Sequence, residues 1–68
     1  MIKAIIILHL IVWDADTGTK LLENTIDGFT TIEECREFGV IQGTDLTTSY
    51  RTTYPHAFTN INCQWETK

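Results

Sequence analysis

Residues 2–13 (IKAIIILHLIVW) are apolar on both alternating faces. One set is Ile2, Ala4, Ile6, Leu8, Leu10 and Val12, with no polar member; the other is Lys3, Ile5, Ile7, His9, Ile11 and Trp13. The β-branched Ile and Val side chains favour a strand. A strand that avoids water on both sides belongs in the middle of a sheet. As a helix the run is too short to cross a bilayer, which takes about 20 residues. A secretory leader fits poorly, because His9 interrupts the apolar stretch and Trp13-Asp14-Ala15-Asp16 is a weak cleavage context. The expectation is an unprocessed, cytoplasmic chain with no membrane segment.

A central strand needs neighbours, and the chain supplies them sparingly. Its 68 residues make a single domain spanning 1–68, and a chain of this size buries only about 60% of the surface its unfolded form exposes. One thin core is all it can build. Asp14-Ala15-Asp16-Thr17-Gly18 is turn chemistry, after which Thr19 to about Ile26 returns as a shorter, more polar edge strand ended by Asp27-Gly28. Thr31 with Glu34 three residues later is a capping box and opens a helix. Ile32, Cys35, Phe38 and Gly39 share one helical face, and the three-four spacing continues through Gln42 and Leu46 towards Tyr54-Pro55, a firm stop. A helix of about 22 residues, roughly 33 Å long, matches the first strand better than one ended at Gly43. Residues 56–66 then close as a third strand, with Ala57, Thr59, Ile61, Cys63 and Trp65 on one face and Phe58, Asn60, Asn62 and Gln64 on the other.

These parts assemble into an α+β fold of ββαβ order. The hairpin sets strand two antiparallel to strand one, and a right-handed crossover through the helix brings strand three to the other side. The sheet order is therefore 2-1-3, with one helix packed on one face. That helix is assigned to the even face of strand one. Ile5, Ile7, His9, Ile11 and Trp13 then lack cover from their own chain, with Phe58, Asn60 and Asn62 beside them. Leaving such a row in water forfeits about 1.5–3 kcal/mol per large side chain, and contiguous patches of this kind mark association surfaces. These eight residues are the expected protein-interaction face, used for a homodimer or for a heterologous protein.

Other chemistry is scarce. Nine acidic against five basic residues give a net charge of −4, and Lys3, Lys20, Arg36, Arg51 and Lys68 form no patch, which argues against direct nucleic-acid binding. Glu33, Glu34 and Glu37 suit the positive end of the helix dipole. His9, Cys35, His56 and Cys63 are metal-ligand types, but none are spaced as a ligand pair, so no metal or other cofactor is expected. No nucleophile–base set and no glycine-rich phosphate loop is legible, so no catalytic residue is assigned and an enzyme is not expected. Cys35 and Cys63 fall at the same end of the fold, both pointing inward. In a reducing cytoplasm they read as two buried thiols packed together; the alternative is a disulfide stabilising by about 3–4 kcal/mol.

Phe29-Thr30-Thr31-Ile32-Glu33-Glu34-Cys35, then Phe38-Gly39 and Phe58 to Cys63, resembles a group of small tailed-bacteriophage proteins. Those combine an apolar N-terminal strand, a hairpin, a helix opened by an F-x-[ST]-x-E-E-C type phrase, and a closing strand with a second Cys. The resemblance implies a phage accessory protein in an infected bacterium that binds a host or phage protein. Its role would be to modulate a host enzyme, or a defence complex such as a CRISPR effector, by steric blocking. The competing expectation is a small structural or assembly protein, or an extracytoplasmic disulfide-bonded domain.

Overall fold

The doubly apolar run forms the middle strand of a three-stranded sheet. The structure, a computed structural model, describes residues 4–67; Ile2 and Lys3 of the expected first strand lie outside them. Strand β1 spans Ala4–Asp14, β2 Thr19–Phe29 and β3 Ala57–Thr67, with helix α1 at Ile32–Tyr50 between β2 and β3. The order is β2-β1-β3, and both outer strands are antiparallel to β1. Three strands of 11 residues each make an elongated slab, 46 × 20 × 11 Å between α-carbons. Its radius of gyration is 13.4 Å, against about 11 Å for a rounded chain of this length.

The even face of β1 is the core. Ile6, Leu8, Leu10 and Val12 are fully buried, together with Cys35 of α1. Ile26, Phe29, Ile32, Leu46, Ile61 and Cys63 pack around them. Phe38, expected inside the core, sits at its margin instead: its ring packs 5.4 Å from that of Phe29 and the residue is 36% exposed.

Capping fixes where α1 starts. Thr31 is extended, and its hydroxyl accepts from the Glu34 backbone N–H at 3.1 Å. The Glu34 carboxylate reaches back one residue further than in the usual box, accepting from both the hydroxyl and the backbone N–H of Thr30. The other end falls short of the expected Tyr54. The helix stops at Tyr50, Arg51 caps it, and a tight turn returns the N–H groups of Thr53 and Tyr54 to the Tyr50 carbonyl. Pro55 explains the difference, since it forces the preceding residue out of helical geometry and leaves the chain a few residues in which to turn. Gly39 and Gly43 do not break the helix. Both are buried, and α1 is pressed onto the sheet there.

Strand β2 also differs from expectation. It runs past Ile26 to Phe29, because Asp27-Gly28 forms an irregularity in the ladder in place of a stop, with Gly28 at φ +99°. A second register shift lies between Val12 and Trp13. Pairing of β1 with β3 is unbroken along all 11 residues. Asp14, at the end of β1, is buried and accepts from the Asp16 N–H and the Thr17 hydroxyl, each at 3.1 Å, which folds the hairpin turn.

Candidate functional site: the open face of the sheet

Alternation puts the odd residues of β1 on the side away from α1, and the register decides what stands beside them. Ile7 lies opposite Gln64, His9 opposite Asn62, Ile11 opposite Asn60 and Trp13 opposite Phe58. Residues directly opposite share a face, so Ile5, Ile7, His9, Ile11, Trp13, Phe58, Asn60 and Asn62 all lie on one surface. Thr25, Glu23 and Lys20 of β2 border it on the other side. The result is an apolar stripe along the middle strand, flanked by polar side chains. Each member of the β1 row is half-buried by its sheet neighbours. A shallow depression of about 530 Å³ opens over His9 and Ile11 at the Asn60–Asn62 side.

Gln64, expected with Asn60 and Asn62 as a polar margin, and Glu66, not expected there, complete the face. Glu66 Oε2 lies 2.7 Å from His9 Nε2, and Gln64 Nε2 donates to the same carboxylate oxygen at 3.2 Å. The short bond to Glu66 places a proton on His9 Nε2, so the 3.2 Å approach of the Gln64 amide nitrogen to that atom is a contact and not a second hydrogen bond. Asn62 Nδ2 donates to Gln64 Oε1 at 3.4 Å and extends the chain along β3. The hydrogen bond from His9, then that from Gln64, holds the Glu66 carboxyl below the usual glutamate range. His9 is thus tied down at the centre of the stripe. Glu66 carries a legible signal, since it continues the parity of Asn60, Asn62 and Gln64 along β3.

The two cysteines correct the thiol reading. Cys35, in the first turn of α1, and Cys63 of β3 are joined as a disulfide, with α-carbons 6.2 Å apart. Cys63 lies opposite buried Leu8, and Cys35 is itself fully buried. The bond pins the start of the helix to an outer strand. His56, expected to open the third strand, instead sits between Pro55 and β3, where its Nδ1 lies 2.8 Å from Asp16 Oδ1 of the hairpin turn. Both partners are largely exposed, so this pair carries little stability.

The arrangement offers binding chemistry. Among the described residues no group of three or more His, Cys, Asp and Glu side chains is placed to hold a metal ion. No helix among them is long and apolar enough to cross a membrane. No family model matches the chain, and neither the curated proteins nor the solved structures compared with it give a match.

Proposed function

We propose that this chain is a non-enzymatic binding protein that engages another protein through the open face of its sheet. One observation carries the reading: a row of large apolar side chains, Ile5, Ile7, Ile11 and Trp13, interrupted only by His9, runs down the middle of a face to which the single helix contributes nothing. An apolar centre bordered by Asn60, Asn62, Gln64 and Glu66 on one side and by Thr25, Glu23 and Lys20 on the other has the make-up of an interface core with a polar rim. Trp13 and Phe58, opposite each other at one end, are the aromatic anchors. In the phage setting that the sequence suggests, the partner is a host enzyme or defence complex and binding acts by obstruction.

A second reading rests on the disulfide. Bonds of this kind persist in oxidising compartments, so Cys35–Cys63 favours an extracytoplasmic or virion-associated structural role over the expected cytoplasmic one. The test of the first reading is affinity capture from bacterial lysate with the native chain and with Ile7→Asp. The variant should lose the captured partner while its circular dichroism is unchanged; equal capture by both would overturn the open-face reading.

A further inference from the structure

We infer that β3 is a pairing edge, and that two copies of this chain join along it into one six-stranded sheet. The two edges of the sheet are built differently. Strand β2 carries Lys20, Glu23 and Asp27 and breaks register twice against β1, devices that blunt an edge against pairing. Strand β3 keeps one register throughout, and its one charged residue, Glu66, stands next to its far end. From Ala57 to Trp65 it contains no charged residue, no proline and no glycine, and its ladder to β1 is unbroken. Arg51 Nε takes up the Ala57 carbonyl at its start, so the stretch open to pairing begins at Phe58. An uncharged, regular edge of this length is a template for another strand.

Several features identify that strand as a second β3. Antiparallel pairing about a two-fold axis at Ile61 sets Asn60 of each copy against Asn62 of the other, and two carboxamides facing each other can exchange hydrogen bonds. Above Ile61, on the helix side, stands Val40, which is 57% exposed and borders grooves shared with Thr59, Ile61 and Cys63. Helix α1 lies over the boundary of β1 and β3, where Gly39 faces both Leu8 and Ile61. With strands about 4.8 Å apart, the same axis brings the two helices to about 10 Å, the ordinary distance for packed helices, with Val40 against Val40. An otherwise unexplained exposed valine is thereby buried.

The area argument points the same way. One open face, about 37 Å by 14 Å, offers roughly 500 Å², less than the ~800 Å² per partner of a standard interface. An axis normal to the sheet leaves both open faces on the same side, so the dimer presents about twice that area as one platform. This last consequence rests on the open-face reading; the dimer itself does not.

Sedimentation velocity at micromolar concentration tests the dimer. The native chain should sediment as a dimer. Val40→Glu, on the helix side, should halve the mass, whereas Ile7→Asp, on the open face, should leave it unchanged. Val40→Cys, oxidised with glutathione disulfide, should yield a covalent dimer. A monomeric native chain would overturn the proposal, as would a dimer that survives Val40→Glu, a dimer lost in Ile7→Asp, or the absence of a Val40→Cys cross-link. A native monomer that still captures its partner overturns the dimer alone, and an Ile7→Asp dimer that captures as well as the native chain overturns the open-face reading alone, so the two readings fail separately.

Discussion

A methyl group built on Gly39 would stand 3.1 Å from Leu8 Cδ1, so the helix approaches β1 there as closely as a bare α-carbon allows. It would also meet Ile61 Cδ1 at 3.2 Å, which wedges the position between β1 and β3. At Gly43 the nearest atom, Thr59 Cγ2, is 3.4 Å from the same point, an ordinary contact. The two glycines therefore differ. Gly43→Ala gains helix propensity without a clash and should stabilise by about 0.5–1 kcal/mol. Gly39→Val should destabilise by about 1–3 kcal/mol through overpacking. Thermal unfolding of the two variants checks the contrast, and equal shifts would contradict it.

The disulfide fixes the first turn of α1 to β3 opposite Leu8, near the middle of the long strands. It closes a loop of 28 residues, for which the chain-entropy account gives about 3.5 kcal/mol. A domain this short commonly has only about 3–5 kcal/mol of stability from its core. Reduction, or the Cys35→Ala/Cys63→Ala pair, should therefore leave the chain largely unfolded at physiological temperature. Circular dichroism with and without dithiothreitol checks this. A chain that melts at the same temperature in both would show that the slab holds without its clasp.

The turn held by buried Asp14 makes an independent prediction. Its carboxylate accepts from Asp16 N–H and Thr17 Oγ1 while almost shielded from water, so Asp14→Ala removes the two hydrogen bonds to a charged acceptor that fold the turn and loosens the hairpin. The expected cost is about 1–3 kcal/mol, whereas Asp14→Asn, which keeps an acceptor, should cost less. Urea unfolding of both variants measures it.

What the sequence made legible follows from which signals are local or periodic. The alternation in residues 4–14 identifies the central strand because a both-sided apolar run has few other uses, and parity then sorts Phe58, Asn60 and Asn62 onto the same face as His9. Capping at Thr31 is local and equally readable. The end of β2 was not, since Asp27-Gly28 has the composition of a stop and only pairing with β1 turns it into an irregularity within the strand. The state of Cys35 and Cys63 depends on geometry as well as compartment, and their 6.2 Å α-carbon separation is a property of the packed helix. Val40 and the contrast between the two sheet edges had no periodic signature. They emerge once strand order and helix position are known together.

Glu66 gives the open face a titratable marker. The hydrogen bond donated by His9 favours the ionised carboxylate, so the group titrates below the ordinary glutamate range in the folded chain. A depressed folded value means that the contribution to stability is present above the unfolded value and disappears as pH falls through the folded one. The carboxyl resonance of Glu66, followed by NMR against pH, should therefore show a midpoint below the ordinary glutamate value. In His9→Ala the largest cause is gone, and the midpoint should rise towards the ordinary value, with the Gln64 bond keeping part of the shift. An unchanged midpoint in that variant would mean that His9 and Glu66 do not meet in solution. The polar border of the stripe would then be a set of independent side chains with nothing anchoring His9 at its centre.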